Sequence, residues 1–218
     1  MSQTSGTVQS LERALDIVEF LYSHGGKAAL QEIASGLGLH KSTVHRLLAT
    51  LKQRDYVYQD SGDLRYGLGL RFYALGALVK EQLPLTRILE PLARGLIEEY
   101  NEGVHVASLV PDALDYPQMT LIMKLNSKNS VLRFTPNTGF STHCHCSASG
   151  KCLMAFAGEE YLSHYRGCRL HRFTQKTVAS WPELERQLEE IRRQGYAVED
   201  SETEVGLACI AVPILDAR

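Results

Sequence analysis

The stretch Leu30–Arg54, LQEIASGLGLHKSTVHRLLATLKQR, decides the fold. It reads as two short amphipathic helices joined by a tight turn at Gly38. At about 100° per residue, Val44, Leu47, Leu48 and Leu51 of the second helix fall within one arc and face a core. Ser42, Arg46, Ala49 and Gln53 lie opposite, with Thr43 and Thr50 beside them. Between Lys41 and Arg54 there are four Lys or Arg residues and no carboxylate. A helix whose outer face is small, hydroxylated and cationic suits a DNA major groove. Arg46 can fork onto guanine or phosphate. Ser42 and Thr43 bring hydroxyls and free N–H groups to phosphate at the first turn, and Lys41 and His45 complete the candidate DNA-contacting set. In the first helix Leu30, Ile33, Ala34 and Leu37 face inward, Gly38 ends it at positive φ, and Leu39 plugs the turn. Taken by itself, the stretch also fits an ordinary helical hairpin in an unrelated core.

The flanks favour DNA binding. Tyr56–Gln59 and Leu64–Leu68 enclose Asp60-Ser61-Gly62-Asp63, which is turn chemistry, so a β-hairpin follows the second helix. A hairpin in that position is a wing, and Arg65 is its candidate phosphate or minor-groove contact. Upstream, Leu11–Ser23 supplies a preceding helix with Leu11, Leu15, Val18 and Leu21 inward. Residues 1–68 therefore read as a winged helix-turn-helix domain. That segment carries seven basic and seven acidic residues, so the positive charge is a local stripe, effective within a screening length of about 8–10 Å. Weak non-specific affinity follows, and with it the expectation of a dimer.

The chain has 218 residues and a formal net charge of −2, a length that suits two modest domains or one large one. No apolar run of about 18 residues and no leader segment is evident. Five cysteines without a secreted-scaffold spacing favour reduced thiols. The expectation is a soluble, cytoplasmic protein without membrane contacts. Residues 69–83 read as a linking or dimerisation helix with Leu70, Phe72, Tyr73, Leu75 and Leu78 on an apolar side. A longer helix to Tyr100 follows Pro84, with Ile88, Leu89, Leu92, Leu96 and Ile97 inward. The remainder of 84–218 alternates strands (Val104–Val110, Met119–Leu125, Val131–Phe134, Tyr196–Glu199, Ala208–Leu215) with helices (Ser147–Ala157, Trp181–Gln194). This is an α+β sensor-type domain able to hold a small molecule between sheet and helices.

Three segments carry a family resemblance: Gly139–Phe156 (GFSTHCHCSASGKCLMAF), Glu190–Asp200 (EIRRQGYAVED) and Gly206–Pro213 (GLACIAVP). Together with LERALDIVEFL and KSTVHRLLATL, they make the chain resemble the isocitrate-lyase-regulator (IclR) family of bacterial transcription factors over essentially its whole length. The resemblance implies a homodimer or dimer of dimers, a double-stranded DNA operator, and a GAF-like C-terminal domain that binds a small carboxylate or aromatic acid. Neither an enzyme nor a cofactor is implied. Ser147, Ala148, Ser149 and Gly150 open a helix whose free N–H groups suit a carboxylate. The resemblance puts Ala148 and Ser149 at the positions whose backbone contacts effector. It puts Glu199, Leu207 and Cys209 at pocket-lining positions, with Glu199 one methylene longer than the usual aspartate. Family members continue past Ala211–Ile214 through another strand and a helix, so the C-terminal domain is expected to be shortened here.

One cluster stands outside the family pattern. His143, Cys144, His145 and Cys146, with Cys152 and His105 nearby, are residue types that hold zinc or a soft metal. Alternate residues on an extended segment point to opposite sides, so all four cannot converge on one ion. A DNA-binding metal or redox sensor is the alternative function. A Cys–His nucleophile at the helix N-terminus is a third, enzymatic reading.

Overall fold

In the computed structural model, which describes residues 7–110, 116–127 and 137–215, the chain divides into two compact units, Met1–Leu83 and Pro84–Arg218. In the first, α1 (Gln9–Ser23), β1 (Lys27–Ala28), α2 (Leu30–Gly36), α3 (Lys41–Gln53), β2 (Val57–Gln59), β3 (Tyr66–Leu68) and α4 (Leu70–Glu81) follow in order. The strands form an antiparallel sheet of order β1-β3-β2. The two-residue β1 is too short to leave a sequence signal. Ile17, Leu21, Ile33, Val44, Leu48, Val57 and Tyr66 make one core, so the hairpin strands share their interior with the helices. The turn between α2 and α3 needs Gly38, at φ 62°.

The face of α1 is a correction. Leu11 and Leu15, expected inward, are exposed, whereas Ile17 and Leu21 are fully buried and Phe20 packs beside them. The helix is apolar on two sides, and the core takes the side that meets α2, α3 and β3. No residue of α4 is buried, although it carries Leu70, Phe72, Tyr73, Leu75, Leu78 and Val79.

The second unit runs α5 (Pro84–Tyr100), β4 (Val104–Leu109), β5 (Gln118–Leu125), β6 (Ser141–His143), α6 (Ala148–Phe156), α7 (Glu159–Tyr165), α8 (Trp181–Gln194), β7 (Ala197–Asp200) and β8 (Ala208–Ala211). β4-β5-β6 form an antiparallel sheet, and β7-β8 a separate hairpin. Met119, Leu121 and Met123 alternate inward along β5. The main core joins Met119, Cys144, Ala148, Cys152 and Met154 to Leu184, Leu188 and Ile191 of α8. On α5, Leu89 and Ala93 pack on the Val106–Met123 cluster, while Ile88, Leu92 and Leu96 are exposed. The expected inward face is corrected there too. The strand expected at Val131–Phe134 lies outside the described residues. Among the described residues no helix is long and apolar enough to cross a membrane.

Candidate nucleic-acid interface and effector site

α3 is positioned by Val44 and Leu48, both fully buried. That leaves Lys41, Ser42, His45, Arg46, Ala49, Thr50 and Gln53 facing solvent, with Thr43 half-buried. Among the described residues Arg46 and Lys41 enter no ion pair, so both charges are available to a ligand. Thr50 donates to the Arg46 carbonyl at 3.1 Å. A cationic helix face in front of a wing can meet both groove and backbone.

The wing is tied down by charge. Lys27 Nζ lies 2.8 Å from Asp60 Oδ2 and 2.9 Å from Asp63 Oδ2; Lys27 holds the Asp60 carboxyl below its ordinary range, and the Arg65 N–H, then Lys27, does so for Asp63. Arg65, the expected phosphate contact, is half-buried and bonds Glu32 Oε2 at 2.6 Å. The same Glu32 oxygen accepts the Ala29 N–H at 2.8 Å, closing the first turn of α2. Arg65 thus joins the wing to the helix-turn-helix. Lys27 and Glu32 carried no signal in the sequence, since each pairs with residues about thirty positions away.

In the second unit the α6 N-terminus gathers most of the expected effector residues. Ser147 is its N-cap, and its Oγ accepts the Gly150 N–H at 3.0 Å. Ala148 and Gly150 are buried and Ser149 is half-buried. Gly150 is required: a Cβ there would sit 2.3 Å from the Cys144 backbone, so only glycine lets α6 close on that turn. Glu199 of β7 pairs in register with Cys209 of β8 and is 1% exposed. Its Oε1 accepts the Thr203 N–H at 2.9 Å. Burial raises the Glu199 carboxyl above its ordinary value. The Cys209 thiol is pushed to about 11, by desolvation and then by that carboxylate. Leu207 sits on the approach to β8, donating its N–H to the Glu204 carbonyl.

Behind this seat is a pair that the sequence analysis missed. Lys151 of α6 is 1% exposed; its Nζ bonds Glu202 Oε1 at 2.5 Å and Gln187 Oε1 at 3.0 Å. Nothing local marks a lysine in a helix as buried.

The His–Cys cluster splits as its alternation requires. His143 stacks on Tyr116 at 3.8 Å and meets His145 edge-on at 5.3 Å, while Cys144 enters the core. Cys146 Sγ donates to the His143 carbonyl. Among the described residues no group of three or more His, Cys, Asp or Glu can hold a metal ion, which overturns the metal reading of His143, Cys144, His145 and Cys146. The thiols of Cys144, Cys146 and Cys152 are all raised by burial, that of Cys146 to about 11. Burial lowers His143 to about 4. A thiolate–imidazolium pair is therefore disfavoured among these groups.

Comparison with known proteins agrees with both halves. Residues 10–61 match the IclR helix-turn-helix domain, and residues 77–218 match the bacterial transcriptional regulator IclR C-terminal domain. The transcriptional repressor IclR of Escherichia coli is 33% identical over 97% of this chain and 76% of its own. The repressor AllR of Escherichia coli is 34% identical over 95% and 75%. Among solved structures, an IclR transcriptional regulator from Alicyclobacillus acidocaldarius superposes with a TM-score of 0.81 at 24% identity, covering 97% and 84%. An IclR homologue from Microbacterium hydrocarbonoxydans, complexed with 4-hydroxybenzoate, gives 0.77 at 22%, covering 95% and 84%.

Proposed function

The chain belongs to the IclR family of bacterial transcriptional regulators, and from that premise we propose that it is an effector-responsive repressor binding a palindromic operator as a homodimer. The observation that carries the DNA half is α3. Its outer face is acid-free, with Lys41, Ser42, Thr43, His45 and Arg46 grouped at its N-terminal end. Arg65 acts mainly by holding the wing against Glu32. Dimerisation, or a dimer of dimers, would cover α4, whose Leu70 and Tyr73 are 84% and 78% exposed.

The effector half rests on Ser147–Gly150 with Glu199, Leu207 and Cys209. A helix N-terminus with a hydroxyl cap favours a small carboxylate or aromatic acid, the ligand class of the Microbacterium homologue complexed with 4-hydroxybenzoate. Effector changes operator affinity only by its differential affinity for two states, typically about 1–3 kcal/mol. Fluorescence anisotropy against the intergenic DNA beside the gene, with and without a panel of small acids, tests both halves. Salt-sensitive, competitor-resistant binding that one acid alters is the expected result. Operator binding that no acid alters would refute the effector half, and a genome-wide failure to select any DNA would refute the first.

A further inference from the structure

The wing spends its cations on its own acids. Between Tyr56 and Leu68 the only Lys or Arg is Arg65, which bonds Glu32 at 2.6 Å, and Lys27 of β1 is shared between Asp60 and Asp63. What stands at the tip instead is a large apolar side chain, Leu64, 66% exposed. Its backbone is left-handed, φ 57°, a conformation that glycine and asparagine adopt far more readily. The turn imposes that conformation from both sides. Leu64 N–H donates to the Asp60 carbonyl at 3.0 Å, and the Asp60 N–H donates to the Arg65 carbonyl at 2.9 Å. The Leu64 carbonyl accepts Gln59 Nε2 at 3.2 Å. Gln59 Oε1 in turn accepts Lys52 Nζ of α3 at 3.4 Å, so the tip is tied to the helix beside it. A strained residue so held points to function, since glycine or asparagine would serve the turn alone.

We infer that Leu64 is an apolar wedge, which the wing presses into the minor groove flanking the α3 site, and that it selects a deformable base step there. The inference rests on the DNA reading of α3 above. The minor groove barely distinguishes one base pair from its reverse, so a wing in it reads width and ease of unstacking. Apolar side chains, leucine among them, open base steps from that side, and pyrimidine–purine steps yield most easily. A wedge without charge displaces no counterions. Its share of the affinity is therefore insensitive to salt, whereas that of the α3 cations falls as salt rises.

The test begins with duplexes that the full-length parent selects from a randomised DNA pool. Anisotropy at several salt concentrations then compares the parent with Leu64→Asn, Leu64→Gly and Leu64→Met on those duplexes, with 2-aminopurine placed in turn at each flanking position. Thermal melts accompany each variant. Leu64→Asn and Leu64→Gly relieve the backbone, so they should melt no lower than the parent. They should nevertheless bind about tenfold more weakly, with an unchanged salt slope and no preference at the flanking step. Leu64→Met should keep that preference, and the parent should brighten 2-aminopurine at one flanking step where Leu64→Asn does not. Parent-like affinity and flank preference in the Asn and Gly variants would overturn the wedge and leave the α3 reading intact. Weaker binding matched by lower melting in both variants would overturn it too, reducing Leu64 to a turn residue. A parent that selects no duplex would overturn the DNA reading and the wedge with it.

Discussion

The two units carry their functional residues in opposite ways. In the winged unit Lys41, Ser42, His45 and Arg46 stand in solvent, and among the described residues the α3 cations are held by no acid. In the C-terminal unit Glu199 and Lys151 are buried and Ser147 half-buried, and each is already bonded to another residue: Ser147 to Gly150, Glu199 to Thr203, Lys151 to Glu202. A surface that binds a polyanion needs only charge and shape left exposed. A buried polar site must satisfy itself when empty, because an unpaired buried group costs more than a bond returns. The outer face of α3 is thus a set of contacts left open, and the α6 N-terminus and its surroundings a set of contacts already made.

That contrast can be broken most sharply at Lys151. Glu202→Ala leaves a buried ammonium without its anion and should cost the C-terminal unit about 3–5 kcal/mol. Trp181, the single tryptophan, lies on α8 in that unit, so urea unfolding followed by its fluorescence reads the loss directly. Gly150→Ala, which forces a Cβ against the Cys144 backbone, should cost about 1–3 kcal/mol by the same measurement. Both variants should keep the winged unit folded. Arg46→Ala should leave Trp181 unfolding unchanged and weaken operator binding by about 1–3 kcal/mol; unchanged anisotropy would remove α3 as the reader.

Acid should separate the units by sign. Glu32, Asp60 and Asp63 have depressed carboxyls, Glu32 chiefly through the Ala29 N–H. The stability they contribute is complete above their ordinary values of 3.8 to 4.5, and is lost as pH falls through the depressed ones. Glu199 is raised by burial, so the folded chain binds its proton first, and its contribution grows as pH falls from neutrality towards the ordinary value. Circular dichroism for the whole chain and fluorescence for the second unit should diverge accordingly. The smallest effect is expected from Arg65→Ala: a wing with slightly higher amide exchange and operator affinity reduced less than by Arg46→Ala.

Where the interior is one-sided, the sequence was legible. α3 has a single apolar arc, and its buried residues are the ones its period picks out. α1 and α5 each carry two arcs, and periodicity cannot say which meets the core; Leu11, Leu15, Ile88, Leu92 and Leu96 fall on the arc expected inward and are exposed. The residues expected at an effector site rest on family resemblance. The burial of Glu199 beside the β8 strand depends on the β7–β8 register, as the burial of Lys151 depends on Glu202 fifty-one positions on.

The wing sends Val57 and Tyr66 into the same interior as Ile17 and Val44, and its outer edges are pinned by Lys27 and Arg65. A reading head so braced has no slack of its own. If the proposed function holds, control by an effector would change where such a head sits and leave the shape of its grip unchanged.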